Sequence, residues 1–375
     1  MKIFWNKLRF GLSILIALIL RFCSIIIPKK NHWVIMERGK DARDNAYFFY
    51  EYIKKNHPQK KVYYVINKNS SDYFKVKDDA IQPYSLNYYW LVSTCEKYIS
   101  THNNDIVRGL YKYRKLTGVY KKYCFLQHGV IYNFIPSLCS ENFSPLIFIC
   151  GAKPEYDYIL DKFGHSPENV KYTGLARFDN LHNVSLKRQI LVMPTWRQNY
   201  NAEFEKSDYY KNWNGLLNSK ELAELLENNN IDLVFYPHFE VQKYINLFSS
   251  GSKNIIIASF KDYDVQTLLK ESAVLITDFS SVYFDFAYMK KPIIYFQFDR
   301  EHFFKTHYQI GYFDYETMGF GKVCKFLDEI VNEVDRILRN GFKLDDEFLK
   351  RVEGFFPIHD INNCERIYKV ITNTK

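Results

Sequence analysis

The sequence predicts an α/β protein of two doubly wound parallel sheets, preceded by an apolar and basic helix. Three observations predict it. Beyond Pro28, short apolar runs of strand length alternate with longer mixed segments, the pattern of βαβ units. These runs form two groups of five, separated near the polar stretch ARFDNLHNVSLK at 176–187, the best candidate hinge, and 375 residues suit two domains of about 150–180 residues each. Positive charge is unevenly placed: 51 Lys and Arg against 42 Asp and Glu give +9, yet residues 1–36 hold six of those charges and no carboxylate.

The remaining +3 is too small for a uniformly basic surface, which excludes a nucleic-acid-binding body. A composition of 47% hydrophobic and 25% charged residues excludes a disordered chain. Seven scattered cysteines form no CxxC pair and no Cys/His cluster at metal-ligand spacing. Cys124 and Cys150 fall in apolar runs and read as buried free thiols, which suits a reducing compartment.

The front segment 11–27 (GLSILIALILRFCSIII) is shorter than the roughly 20 apolar residues of a membrane span and is broken by Arg21. Ser24 to Pro28 offers no small-residue cleavage site. An interfacial helix fits better, with Phe4, Trp5 and Phe10 as apolar bulk and flanking Lys and Arg for an anionic membrane surface. A span and an internally packed helix remain the alternatives.

Strands are expected at 33–36, 62–66, 98–101, 123–127, 146–150, 189–193, 232–236, 254–258, 273–277 and 292–296. Helices are expected at 44–55, 154–163, 220–228, 265–270 and 282–290, with a helical tail from Val323 onward. In doubly wound sheets ligands bind at the carboxyl ends of strands, so chemistry is expected just after each run.

The first run opens on ERGKDARDN (37–45), where Arg38, Asp41, Arg43, Asp44 and Asn45 crowd both signs of charge ahead of a helix that Asp44 would cap. QHG at 127–129 puts His128 at a strand end as a base or phosphate donor, with Gly129 permitting a tight turn. PTWR at 194–197 offers the Thr195 hydroxyl and the Arg197 guanidinium, both suited to phosphate. Tyr236-Pro237-His238 ends the next strand with a second His. In TDFSSVYFD, Asp278 ends a strand, Ser280 and Ser281 open a helix as caps or anion ligands, and Asp285 lies about one turn on. No glycine-rich phosphate loop is present.

QHG at 127–129, PTWR at 194–197, His238 and TDFSSVYFDFAYMKKPIIYFQFD at 277–299 together resemble the CDP-glycerol glycerophosphotransferase family of teichoic-acid enzymes. ERGKDARDN resembles the primase-type members, and GYFDY at 311–315 and NCERIYKVI at 363–371 fit as well. The resemblance implies a GT-B-like fold of two facing Rossmann-like domains, attached peripherally to the cytoplasmic face of the membrane. The divisions expected are 1–29 for the membrane helix, 30–180 for the first domain, 181–350 for a donor-binding domain and 351–375 for a helix returning to the first.

The activity implied is transfer of a polyol phosphate from a CDP-activated polyol donor to a lipid-linked acceptor or growing wall or capsular polymer, with release of CMP. Glycerol phosphate is the first choice. By the same resemblance His128 is the general base, and His238 a second essential histidine near the pyrophosphate. Thr195, Arg197, Ser280 and Ser281 meet donor phosphates, and Asp278 and Asp285 are the motif's acids. The acceptor side falls to Arg38, Asp41, Arg43, Asp44 and Asn45. No cofactor and no metal are expected. The competing readings are a nucleotide-sugar glycosyltransferase of the same architecture and a non-catalytic, membrane-bound nucleotide- or polymer-binding scaffold.

Overall fold

The computed structural model describes residues 31–103, 122–197, 203–307 and 309–374, together with Leu15 and Ile19. The expected interfacial helix at the front lies outside the described residues, those two apart. Among the described residues no helix is long and apolar enough to cross a membrane.

Among the described residues, two all-parallel sheets organise the chain. The first has seven strands: β1 (His32–Met36), β2 (Lys61–Val65), β3 (Ala80–Ile81), β4 (Lys97–Ser100), β5 (Tyr123–Phe125), β6 (Ile147–Cys150) and β7 (Val170–Tyr172). Their order in the sheet is β3-β2-β1-β4-β5-β6-β7. The second has six: β8 (Gln189–Met193), β9 (Asp232–Phe235), β10 (Ile255–Ile257), β11 (Val274–Thr277), β12 (Ile293–Phe296) and β13 (Gly321–Cys324), in the order β10-β9-β8-β11-β12-β13. Both follow the 3-2-1-4-5 winding of a nucleotide-binding α/β sheet, reversing direction between β1 and β4 in one and β8 and β11 in the other.

The central strands are buried along their whole length, as β1 (HWVIM) and β11 (VLIT) illustrate. That is why they read as unbroken apolar runs: helices cover both faces of a parallel sheet, so alternation disappears. The three strands absent from the sequence expectation are edge strands with weak signals. β3 is two residues long, β7 reads Val-Lys-Tyr with only its first residue buried, and β13 has Gly321 and an exposed Lys322. Val323 and Cys324 therefore close a sheet rather than begin a helical tail; that tail begins with helix Leu327–Arg339.

Each sheet belongs to its own compact unit. The first comprises Met1–Val130, Pro136–Asn180 and Asp360–Lys375; the second comprises Ile131–Ile135 and Leu181–His359. In the first, Trp33 of β1 stacks on Phe49 of helix Asn45–Asn56, with ring centroids 6.4 Å apart. Helix Asn363–Asn373 returns to this unit, where Asp179 accepts the N–H groups of Asn363 and Cys364 at 2.8 and 2.9 Å. A carboxylate at a helix N-terminus satisfies otherwise orphaned donors. In the second unit Trp213 meets Phe296 edge-on at 5.1 Å within an apolar cluster that also holds Val192 and Ile276. Cys124 and Cys150 are buried free thiols.

Candidate active site

Both chemically rich clusters form where the strand order reverses, one in each unit. In the first unit the loop after β1 delivers Glu37 to the start of helix Asn45–Asn56. Buried Glu37 accepts the N–H groups of Asp44 at 2.8 Å and Tyr47 at 3.1 Å, and its two oxygens share that of Arg43 at 3.3 Å. Glu37 thus does the capping that the sequence assigned to Asp44. Asp44 occupies the N-cap position but makes no side-chain cap bond. Its carboxylate is turned instead to His128 and Arg177.

His128 Nδ1 lies 2.5 Å from Asp44 Oδ2, and Arg177 Nη1 lies 2.9 Å from Asp44 Oδ1. Arg177 Nη1 also donates to the His128 carbonyl, and the Arg177 N–H donates to Asn45 Oδ1 at 3.0 Å. Asn45 Nδ2 in turn donates to the Gln127 carbonyl at 2.9 Å. The strand-end turn is made by Gln127 rather than Gly129: Gln127 carries the left-handed backbone, with φ 63°. Its side-chain amide donates to the Ile149 carbonyl.

Burial would raise the Asp44 carboxyl, but His128 and Arg177 hold it well below the usual carboxylate range. Glu37 moves the other way, up to about 7, through burial and the Asp44 charge beside it. An ionised carboxylate only accepts, so Nδ1 of His128 carries a hydrogen, and in the neutral ring Nε2 has the lone pair. The His128 side chain is 62% exposed, so that lone pair can meet a substrate hydroxyl.

His102, just beyond β4, completes the cluster. Its ring centroid is 4.6 Å from that of His128, and its Nδ1 is 2.7 Å from Thr101 Oγ1. Burial, followed by the neighbouring His128, pushes it down to about 3. Asp44, His102 and His128 offer three ligand atoms within 4.8 Å of one another. Both oxygens of Asp44 are engaged, one by a guanidinium, which disfavours a second cation there.

The charged block after β1 divides. Asp44 and Asn45 enter the cluster, whereas exposed Arg38 pairs with Asp41 at 2.7 Å and Arg43 pairs with Asp72 at 2.7 Å. Arg177 and His102 were missed by the sequence reading, although His102 sits two residues past a strand, where chemistry was expected.

In the second unit Asp278 is fully buried just beyond β11 and ties the ends of β8 and β11 together. Its Oδ1 accepts the N–H of Thr195 at 2.7 Å, and its Oδ2 lies 2.9 Å from Arg197 Nη2. Arg197 forks onto Asp299 at 2.8 and 2.9 Å and donates to the Thr195 carbonyl at 2.7 Å. Only 6% of its side chain is exposed, and Phe303 packs 4.8 Å from its guanidinium. So placed, Arg197 braces the strand ends, and any effect on a phosphate passes through Thr195. Burial pushes the Asp278 carboxyl up against the pull of Arg197. The buried Thr195 hydroxyl has no hydrogen-bond partner among the described residues, a position that suits a ligand oxygen.

His238 is exposed beyond β9, and Trp196 stacks on it with centroids 6.1 Å apart. The Glu240 N–H donates to His238 Nδ1 at 3.2 Å, so the neutral ring carries its hydrogen on Nε2. His307 also lies edge-on to Trp196, at 4.8 Å, and is pushed down to about 4 by burial and then by Arg197. Ser280 and Ser281 are half-buried at the start of helix Val282–Tyr288, where Ser281 makes no side-chain cap bond. Asp285 is buried within that helix. The partner of Arg197 that sequence reading missed is Asp299, three residues past β12.

Relatives of known name place these clusters in context. A Bacillus subtilis minor teichoic acid biosynthesis protein, GgaB, is 34% identical over 95% of this chain and 41% of its own length. The B. subtilis teichoic acid poly(glycerol phosphate) polymerase is 27% identical over 92% of this chain and 49% of its own. The chain therefore spans less than half the length of either. A structure of the wall teichoic acid polymerase TagF soaked with CDPG shares the fold at TM-score 0.69 and 17% identity, covering 99% of this chain and 97% of that one. The model of the CDP-glycerol:poly(glycerophosphate) glycerophosphotransferase family matches residues 19–134 and 154–373, and the chain belongs to that family.

Proposed function

We propose that this chain transfers a polyol phosphate, glycerol phosphate by preference, from a CDP-activated donor to a lipid-linked saccharide or growing wall polymer, working at the cytoplasmic face of the membrane. The observation that carries the reading is the opposite tautomers of two exposed strand-end histidines. His128 keeps a lone pair on Nε2, and His238 keeps a hydrogen there. Family membership and the CDPG soak of TagF supply the donor class.

In this reading the acceptor hydroxyl attacks the phosphorus bearing the polyol while its proton passes to His128 Nε2. The bond from that phosphorus to the CMP oxygen breaks, and CMP leaves with the electron pair. The oxygen charge then building up needs donors, a task for His238 Nε2–H, the Thr195 hydroxyl and the Ser280 and Ser281 hydroxyls. Asp278 and Arg197 hold Thr195 in place.

The test offers the purified protein CDP-glycerol, CDP-ribitol and UDP-sugars, reading thermal stabilisation and nucleotide release. Stabilisation and CMP release with a CDP-polyol are expected. Release of a nucleoside diphosphate from a nucleotide sugar would mean glycosyl transfer instead. His128→Ala is expected to slow CMP release at least about 10²-fold, the low end for general-base catalysis, with the fold retained. Turnover near wild type would remove His128 from the chemistry.

A further inference from the structure

We infer that Asp44 and Arg177 are positioning residues that hold His128 in the single tautomer able to take a proton at Nε2, an inference that rests on His128 being the base. A neutral imidazole carries its hydrogen on either nitrogen, and only the form with hydrogen on Nδ1 leaves Nε2 basic. Asp44 Oδ2, 2.5 Å from Nδ1, selects that form and then stabilises the imidazolium when the proton arrives.

Arg177 does two things. It occupies Asp44 Oδ1 at 2.9 Å, keeping the carboxylate ionised, and it holds the His128 carbonyl, fixing the backbone from which the ring projects. The two groups are held in register through Asn45, which accepts from the Arg177 N–H at 3.0 Å and donates to the Gln127 carbonyl at 2.9 Å.

Local structure does not require this arrangement. An Asp at an N-cap ordinarily turns its carboxylate onto the first turn of its own helix. Here Glu37 accepts the Asp44 and Tyr47 N–H groups in its place, and Asp44 is released to the histidine. A pair formed with a 62% exposed histidine also contributes little to stability. The arrangement is better explained by what it does to the ring.

Asp44→Asn, Arg177→Gln and His128→Ala, each in the full chain, test this. The readouts are CMP release from CDP-glycerol across pH, thermal melting, and the 15N shifts of His128 in histidine-labelled protein. For Asp44→Asn we expect kcat to fall roughly 10²- to 10⁴-fold with KM for CDP-glycerol little changed, because the side-chain amide can donate to Nδ1 and invert the tautomer. The His128 15N shifts should then show Nδ1 without its hydrogen.

Wild-type kcat and an unchanged tautomer in Asp44→Asn, with His128→Ala inactive, would overturn the positioning role and leave the proposed reaction standing. Wild-type turnover by His128→Ala would instead overturn the base assignment, while the 15N shifts still decide whether Asp44 sets the tautomer. Should Asp44→Asn not fold, Arg177→Gln decides by the same shifts and pH profile. It leaves Asp44 and His128 chemically intact, so mixed tautomers and a displaced acid limb support the clamp, and wild-type behaviour refutes it.

Discussion

Asp44 shows how one residue's apparent duty can pass to another. Its place before a helix reads as a cap, yet Glu37 caps and Asp44 meets His128. His128, Thr195, Arg197 and Asp278 were singled out by position alone, because each lies within a few residues of a strand end, where a short motif marks it. Arg177, 133 positions from Asp44, was not, because no local pattern announces a partner that only the fold brings near; Asp299 closes the motif at 277–299, but only the fold pairs it with Arg197, 102 positions away. His102 has a measurable consequence of its own. In the unfolded chain a histidine titrates near 6.5, whereas here it is pushed down to about 3. Below pH 6.5 the unfolded chain therefore binds a proton that the folded protein refuses. Stability from this source is complete above pH 6.5 and declines as the pH falls towards 3. His102→Gln is expected to flatten the dependence between those limits, as read from urea midpoints at pH 7 and pH 5. An unchanged slope would show that His102 is not the group responsible.

At the scale of elements, strand type governed what could be read. Central strands announced themselves through continuous burial, whereas β3, β7 and β13 have a neighbour on one side only and little apolar sequence. Serines ahead of Val282–Tyr288 promised a cap that Ser281 does not make. The turn after β7 makes a sharper point. Gly174 has φ +80°, and a Cβ built there would come 1.8 Å from Asn363 Oδ1. Asn363 has little room to withdraw, since its amide nitrogen is bound to Asp179 at 2.7 Å and its oxygen to Arg366 at 2.7 Å. Gly174→Ala is expected to lower stability by roughly 2–3 kcal/mol, combining backbone strain with a displaced contact. Adding Asn363→Ala should recover part of the loss, a non-additivity that denaturant midpoints would reveal. Strict additivity would mean that the two positions do not meet.

For the whole molecule, the division into two sheets was legible from the alternation of runs, whereas the strand order, and with it the reversal points beside the two clusters, came only with the fold. Less visible was that a short piece of the first half, Ile131–Ile135, joins the second unit. The +9 charge also divides, with six charges before residue 37. If that segment holds the protein on anionic lipid, as proposed, deletion of residues 1–29 should move it to the soluble fraction while CDP-polyol stabilisation persists. Continued membrane association after the deletion would place the attachment elsewhere. The return of the helix Asn363–Asn373 has a consequence for biosynthesis. A ribosome emits Lys61–Tyr172, then all of Leu181–His359, before it emits the helix whose first N–H groups Asp179 receives. The second unit can be folded while the first still lacks its last piece, so a nascent chain halted before Asp360 would expose an unfinished first half to chaperones and proteases.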